Sequence, residues 1–185
     1  MYLSREIYEA AQRLKKECGG DPFEMADYLK IGYFFYDIGS LLGLMTEMNG
    51  MKVIVLSPEL EHRDRDCKQV MFHEIGHCVF HPLEEGDIVY REMNFDKSRS
   101  RTEYEANAFA AHCLLEDEEV LEALKYYGDV YSAAHYLGVN EQLLLIKIKE
   151  MIALGHKSLR LDLTPNSNFL SGGKKILAGE DDYGC

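Results

Sequence analysis

The chain has 185 residues, 46% of them hydrophobic, which is enough to bury a core and argues against global disorder. Its formal net charge of −12 excludes a sequence-independent nucleic-acid binder, because phosphate contacts need Lys and Arg clustered on one surface. The start, Met1-Tyr2-Leu3-Ser4-Arg5-Glu6, has no apolar core after a basic beginning and does not read as a secretion signal, and the most apolar run, Ile31 to Met45, is interrupted by Asp37 and too short for a bilayer helix. Five cysteines, an odd number without paired spacing, fit a reduced cytoplasm.

In chain order, Ser4 to Cys18 reads as a helix capped by Ser4, with Ile7, Ala11, Leu14 and Cys18 at helical spacing and Gly19-Gly20 as its stop. Asp21 as cap and Pro22 at the first helical position predict a second helix over Phe23 to Leu29. The pattern then turns aromatic and β-branched, predicting strands at Tyr33–Tyr36, Leu41–Thr46 and Met51–Leu56. Asn49-Gly50 is a two-residue hairpin signal, so the last two strands should pair antiparallel. An edge strand of such a sheet can bind an extended peptide through its backbone.

Next, Ser57-Pro58-Glu59 breaks the sheet, and a helix begins that carries His73-Glu74-Ile75-Gly76-His77. On a helix His73 and His77 stand one turn apart on one face, close enough for both imidazoles to reach one tetrahedral metal. Glu74, about 100° round the axis, lies beside that metal, where it can take a proton from an activated water. Val70, Met71, Phe72, Ile75, Val79 and Phe80 make the helix apolar on nearly all sides, so two histidines and a carboxylate would be costly there without a partner. Gly76 gives up helix propensity but admits a close backbone, which suits a helix packed under a sheet. His81, just before Pro82, continues the stripe one turn further and is either a neighbour of the site or a helix-end residue. Phe80 and Leu83 stand where a metzincin needs Gly and His, which excludes that branch.

A charged loop, Glu84 to Arg101, leads to a helix beginning Thr102-Glu103-Tyr104-Glu105-Ala106-Asn107. Two glutamates compete there for the third metal position, and either also fits a capping role, three residues after Ser100 or Thr102. The apolar positions centre nearer Glu103, and Asn107, one turn later, can orient a ligand from behind. Glu103 is therefore the preferred ligand and Glu105 a cap or surface charge. His112 falls almost opposite Glu103, and Cys78 and Cys113 read as small buried hydrophobes.

The HEIGH helix followed by E-Y-E-A-N-A-F-A-A-H-C-L-L resembles the ImmA/IrrE family of zinc metallopeptidases, and Glu103, Ala106 and Asn107 match the wider gluzincin pattern. The resemblance covers Asp21 to Leu115. Where family members usually follow the second Leu-Leu with Met-Pro, this chain has Glu116-Asp117-Glu118. The resemblance implies cleavage of a helix-turn-helix transcriptional repressor, releasing genes of a phage or mobile element, and a helix-turn-helix-like segment after the catalytic part.

The C-terminal third supports that last expectation in outline. Val130 to Gly155 holds two helical segments around Gly138-Val139, with Asn140 as a cap. Ala134, Gly138 and Leu144 have helix-turn-helix spacing, but the second helix opens Asn140-Glu141-Gln142, without the basic residues that read bases. Beyond Leu163 the composition predicts a flexible tail.

The expected architecture is α+β. A small, mostly antiparallel sheet packs against the HExxH helix and a second ligand-bearing helix, followed by a helical hairpin. The expected regions are 1–120, metallopeptidase-like; 121–156, helix-turn-helix-like and packed on it; and 157–185, the tail. The expected function is a cytoplasmic metalloendopeptidase with one Zn²⁺ on His73, His77 and Glu103 and with Glu74 as base. Asn107 and His81 support the ligands, and Tyr90 or Tyr104 donates to the oxyanion. Its partner is a protein substrate, not nucleic acid or membrane. The alternative is a non-proteolytic zinc-binding regulator that binds a repressor or DNA.

Overall fold

The computed structural model describes residues 3–81, 101–157 and 159. The protein is α+β, with seven helices and one three-stranded sheet among the described residues. It divides into two compact units, residues 1–114 and 115–185.

In the first unit, α1 (Ser4–Cys18) buries Ile7, Ala11 and Leu14 along one stripe. Ser4 is the first helical residue, not the cap; Leu3 precedes it, and its N–H donates to Glu6 Oε2 at 2.8 Å. Glu6 reaches back from the first turn and satisfies that amide, so no hydroxyl is needed there. Helix α2 (Pro22–Tyr28) is capped by Asp21, whose side chain accepts from the N–H groups of Phe23 and Glu24.

The strands are β1 (Gly32–Phe35), β2 (Gly43–Met48) and β3 (Met51–Leu56), in the order β1-β3-β2. β2 and β3 are antiparallel, and Met48 pairs with Met51 across the Asn49-Gly50 turn. Asn49 and Gly50 both have positive φ, 54° and 77°, as a two-residue turn matched to strand twist requires. β1 runs parallel to β3, with Gly32 opposite Val53 and Phe35 opposite Leu56, so the sheet is mixed. Among the described strands, β1 and β2 are the edges.

A short 3₁₀ turn, Pro58–Leu60, capped by Ser57, leads to α3 (Asp64–Phe80). α3 is buried on nearly every side from Cys67 to Phe80, packing against the sheet and against α4 (Arg101–Leu114). Gly76 is where the two helices touch. A Cβ there would lie 3.0 Å from Ala106 Cα and 3.1 Å from its carbonyl oxygen. The close backbone is thus that of α4, not the sheet, because the sheet packs along another side of α3. α4 also packs on α1, where Lys15 Nζ donates to the His112 carbonyl at 3.5 Å and the Tyr8 ring meets the His112 ring edge-on.

The second unit holds α5 (Asp117–Tyr127), α6 (Val130–Leu137) and α7 (Glu141–Leu154). Asp129 caps α6, Gly138 ends it in the left-handed region, and Asn140 caps α7. α6 and α7 are therefore joined by a three-residue turn at the spacing expected. The acidic stretch after α4 also has a structural use. Asp117 lies 2.6 Å from the buried Lys147 Nζ and 2.9 Å from His156 Nε2, tying the start of α5 to α7 and its end. A fully buried ammonium needs such a carboxylate, which a Met-Pro sequence would not supply. The tail expected over 157–185 lies outside the described residues except for 157 and 159.

Candidate metal centre

The site is built where α3 and α4 face each other. His73 and His77 are both fully buried, and their Nε2 atoms lie 3.0 Å apart. Glu103 comes across from α4, with Oε2 3.4 Å from His73 Nε2 and Oε1 3.5 Å from His77 Nε2. The three ligand atoms fall within 4.8 Å of one another. Donors about 2.0–2.1 Å from a tetrahedral zinc stand about 3.3 Å from each other, so the spacing accommodates that ion.

Hydrogen bonding behind the imidazoles fixes what they present. His73 Nδ1 lies 2.8 Å from Asn107 Oδ1; an amide oxygen only accepts, so Nδ1 carries the proton and Nε2 is left with a lone pair. His77 Nδ1 lies 3.0 Å from His81 Nδ1, and His81 Nε2 lies 3.0 Å from Glu105 Oε2. With the carboxylate accepting from His81 Nε2–H, the neutral His81 accepts at Nδ1. His77 then donates from Nδ1 and offers Nε2 forward. Arg101 Nε donates to the other oxygen of Glu105 at 3.0 Å.

Electrostatics tie the carboxylate and the imidazoles to one another. Burial alone would raise the Glu103 carboxyl, but hydrogen bonds and charge from His73 and His77 hold it well below the usual carboxylate range. Burial alone would lower His73, yet Glu103, the Glu74 charge and Asn107 outweigh it and leave it above its ordinary value. Both shifts have one cause: the Glu103 carboxylate and the facing imidazoles attract one another. The donor set, two imidazole nitrogens and a carboxylate, fits a zinc ion.

Residues 30–149 match the model of the IrrE N-terminal-like domain, Peptidase M78. The chain belongs to this family. No curated protein matches it. M78 domains are peptidases and zinc-dependent in general, and the group formed by His73, His77 and Glu103 could hold a metal ion.

The remaining candidates of this M78 chain fall as follows. Glu74 is fully buried on α3, one residue on from His73, and its charge reaches that imidazole. Tyr104 is half-buried on α4 beside Glu103, while Tyr90 lies outside the described residues. Glu105 is neither a surface charge nor a cap; it is buried and holds His81. His81 leaves helical geometry (φ −126°, ψ 83°) while its N–H still donates to the His77 carbonyl. A helical wheel places it a turn too far, so its link to His77 and Glu105 was visible only as a stripe of three histidines.

Gly43 carried no signal at all. A Cβ there would stand 2.5 Å from Val70 Cγ1 and 3.1 Å from Glu74 Oε1, so the start of β2 lies directly against the Glu74 side chain. Cys78 is inert: burial first, then the nearby Glu74 charge, push its thiol up to about 12, with Lys52 opposing them.

Proposed function

We propose that the protein is a zinc-dependent endopeptidase whose metal is held by His73 Nε2, His77 Nε2 and a Glu103 carboxylate oxygen. The observation that supports this reading is the convergence of those atoms within 4.8 Å of one another. Bound zinc lowers the pKa of water to about 7 and polarises a carbonyl. The chain supplies everything else. Glu74 accepts the proton of the attacking water and returns it to the leaving amine. Asn107 and His81 hold the two imidazoles in the tautomers that face the metal. Tyr104 or Tyr90 donates to the oxyanion. The β2 edge, whose Gly43 end abuts Glu74, binds the substrate backbone as an added strand.

The substrate is a helix-turn-helix transcriptional repressor of a phage or mobile element, an assignment supported by the family resemblance. Free thiols at Cys18, Cys67 and Cys78 support action in the cytoplasm. No helix among the described residues is long and apolar enough to cross a membrane. Against a regulator that binds zinc without cutting, the buried Glu74 beside His73 serves no purpose in a purely structural site. The substrate is tested by trapping with the Glu74→Gln protein and identifying the bound chain by mass spectrometry. A repressor is expected; its absence from the trapped proteins would overturn that substrate and leave the zinc site standing.

A further inference from the structure

The second unit carries a surface that the metal centre does not use. Along α5, Glu119, Glu122 and Tyr126 recur at three- and four-residue spacing on one face, and Tyr127 follows at its margin. α6 brings Tyr136 and Leu137 against them. Together these residues line an open cavity of about 690 Å³. The rings form a continuous cluster: Tyr126 and Tyr127 meet edge-on with centroids 4.8 Å apart, and Tyr127 and Tyr136 are 5.2 Å apart at 41°. They are also displayed to solvent, Tyr126 at 82% and Tyr136 at 63% exposure, which core packing alone does not require.

The chemistry of the lining is one-sided. It offers tyrosine faces, which attract cations through their ring quadrupoles, and two carboxylates one turn apart, with no Lys, Arg or His among the described lining residues. Lys125, the nearest cation in sequence, lies about 120° round α5 from Glu119, on the side of Glu122. A polyanion is repelled by such a surface, and a guanidinium can stack on a ring while pairing with a glutamate. We propose that this α5–α6 face is a docking site for a basic segment of a partner protein, in which an arginine lies between Tyr126 and Tyr136 and pairs with Glu119 or Glu122. The site shares no residue with the metal centre, and its existence does not depend on peptidase activity. Reading α6 and α7 as a helix-turn-helix directs attention to DNA; the tyrosine and glutamate face points instead to a protein rich in the residues that bind DNA.

The chain has twelve tyrosines and no tryptophan, so its intrinsic emission reports on rings of this kind. The full chain, as Glu74→Gln so that nothing is cut, is titrated with three synthetic peptides of equal length, (Gly-Arg)₄, (Gly-Ser)₄ and (Gly-Glu)₄. Binding is followed by tyrosine fluorescence and calorimetry. Saturable binding of (Gly-Arg)₄ alone is expected. It should weaken about tenfold in Tyr136→Ala and in the Glu119→Gln, Glu122→Gln double variant, with zinc content and circular dichroism unchanged. These positions are exposed, so both variants should keep the fold. Unchanged binding by both variants, or equal binding of (Gly-Ser)₄, would overturn the proposal. Self-association of the chain that Tyr136→Ala abolishes would assign the face to a second copy and overturn it equally.

Discussion

His81 Nε2 lies 3.0 Å from Glu105 Oε2, with both side chains buried, and the other face of the same imidazole meets His77. The relationship makes Glu105 the far end of a chain of three groups reaching the metal position, anchored outside by Arg101. Removing the carboxylate charge in Glu105→Gln, or the ring in His81→Ala, leaves His77 free to turn or to present the wrong tautomer. Zinc affinity is expected to fall about 10- to 100-fold. Competition against a chromophoric chelator measures it. Thermal stability of the zinc-free protein should change much less for Glu105→Gln, and a loss of stability without a loss of affinity would assign the chain a structural role only.

Gly76 and Ala106 define how closely α3 and α4 approach. Gly76→Ala should add helix propensity worth about 1 kcal/mol and yet destabilise the protein by about 1–3 kcal/mol, because the new methyl meets backbone that cannot rotate away. Urea unfolding of the two proteins gives the sign. A stabilised variant would show that the helices part without cost.

Gly43 tests the wall over the proposed base. Its alanine variant places a methyl against Val70 and Glu74, displacing either the start of β2 or the carboxylate. Zinc content should stay at the wild-type level while kcat/KM falls by about 100-fold, the scale expected when a reacting group moves by about 1 Å. Unimpaired turnover would place the working carboxylate elsewhere.

Much of this arrangement could be read in the sequence because its signals are local. Two histidines one turn apart with a glutamate between them, Asp21 before Pro22, and Asn49-Gly50 between strand-like runs each act over a few residues, and the structure holds all three as read. Interactions closed by a distant partner were not legible. Glu105 looks like a surface charge until His81, in a non-helical conformation from another element, is placed against it. Gly43 resembles any strand glycine until Glu74 lies beneath it. The parallel pairing of β1 with β3 depends on which edge β1 joins, which residue patterning does not encode.

Asp129 gives the second unit a pH dependence of known sign. Its carboxylate accepts from Ser132 N–H at 2.8 Å at the start of α6, and this hydrogen bond, before any other influence, lowers its pKa from 3.8. A carboxyl lowered in the folded state contributes stability that is complete above the unfolded value and is lost as pH falls through the folded one. Asp129→Asn keeps a capping oxygen without the titration. The stability advantage of wild type over this variant should therefore shrink as pH drops below 3.8 and stay constant above about 5. A constant difference down to the lowest pH at which the fold survives would show that the charge contributes nothing.

The central claim is that His73, His77 and Glu103 hold a catalytic zinc served by Glu74. It is tested most directly by measuring, on the same preparations of wild type and Glu74→Gln, the zinc bound per chain and the rate of peptide-bond cleavage in the trapped substrate. The account predicts one zinc in both proteins and a rate about 100- to 10,000-fold lower in the variant. Equal rates in the two proteins, or a wild type that cuts at full rate after its zinc is removed, would contradict it.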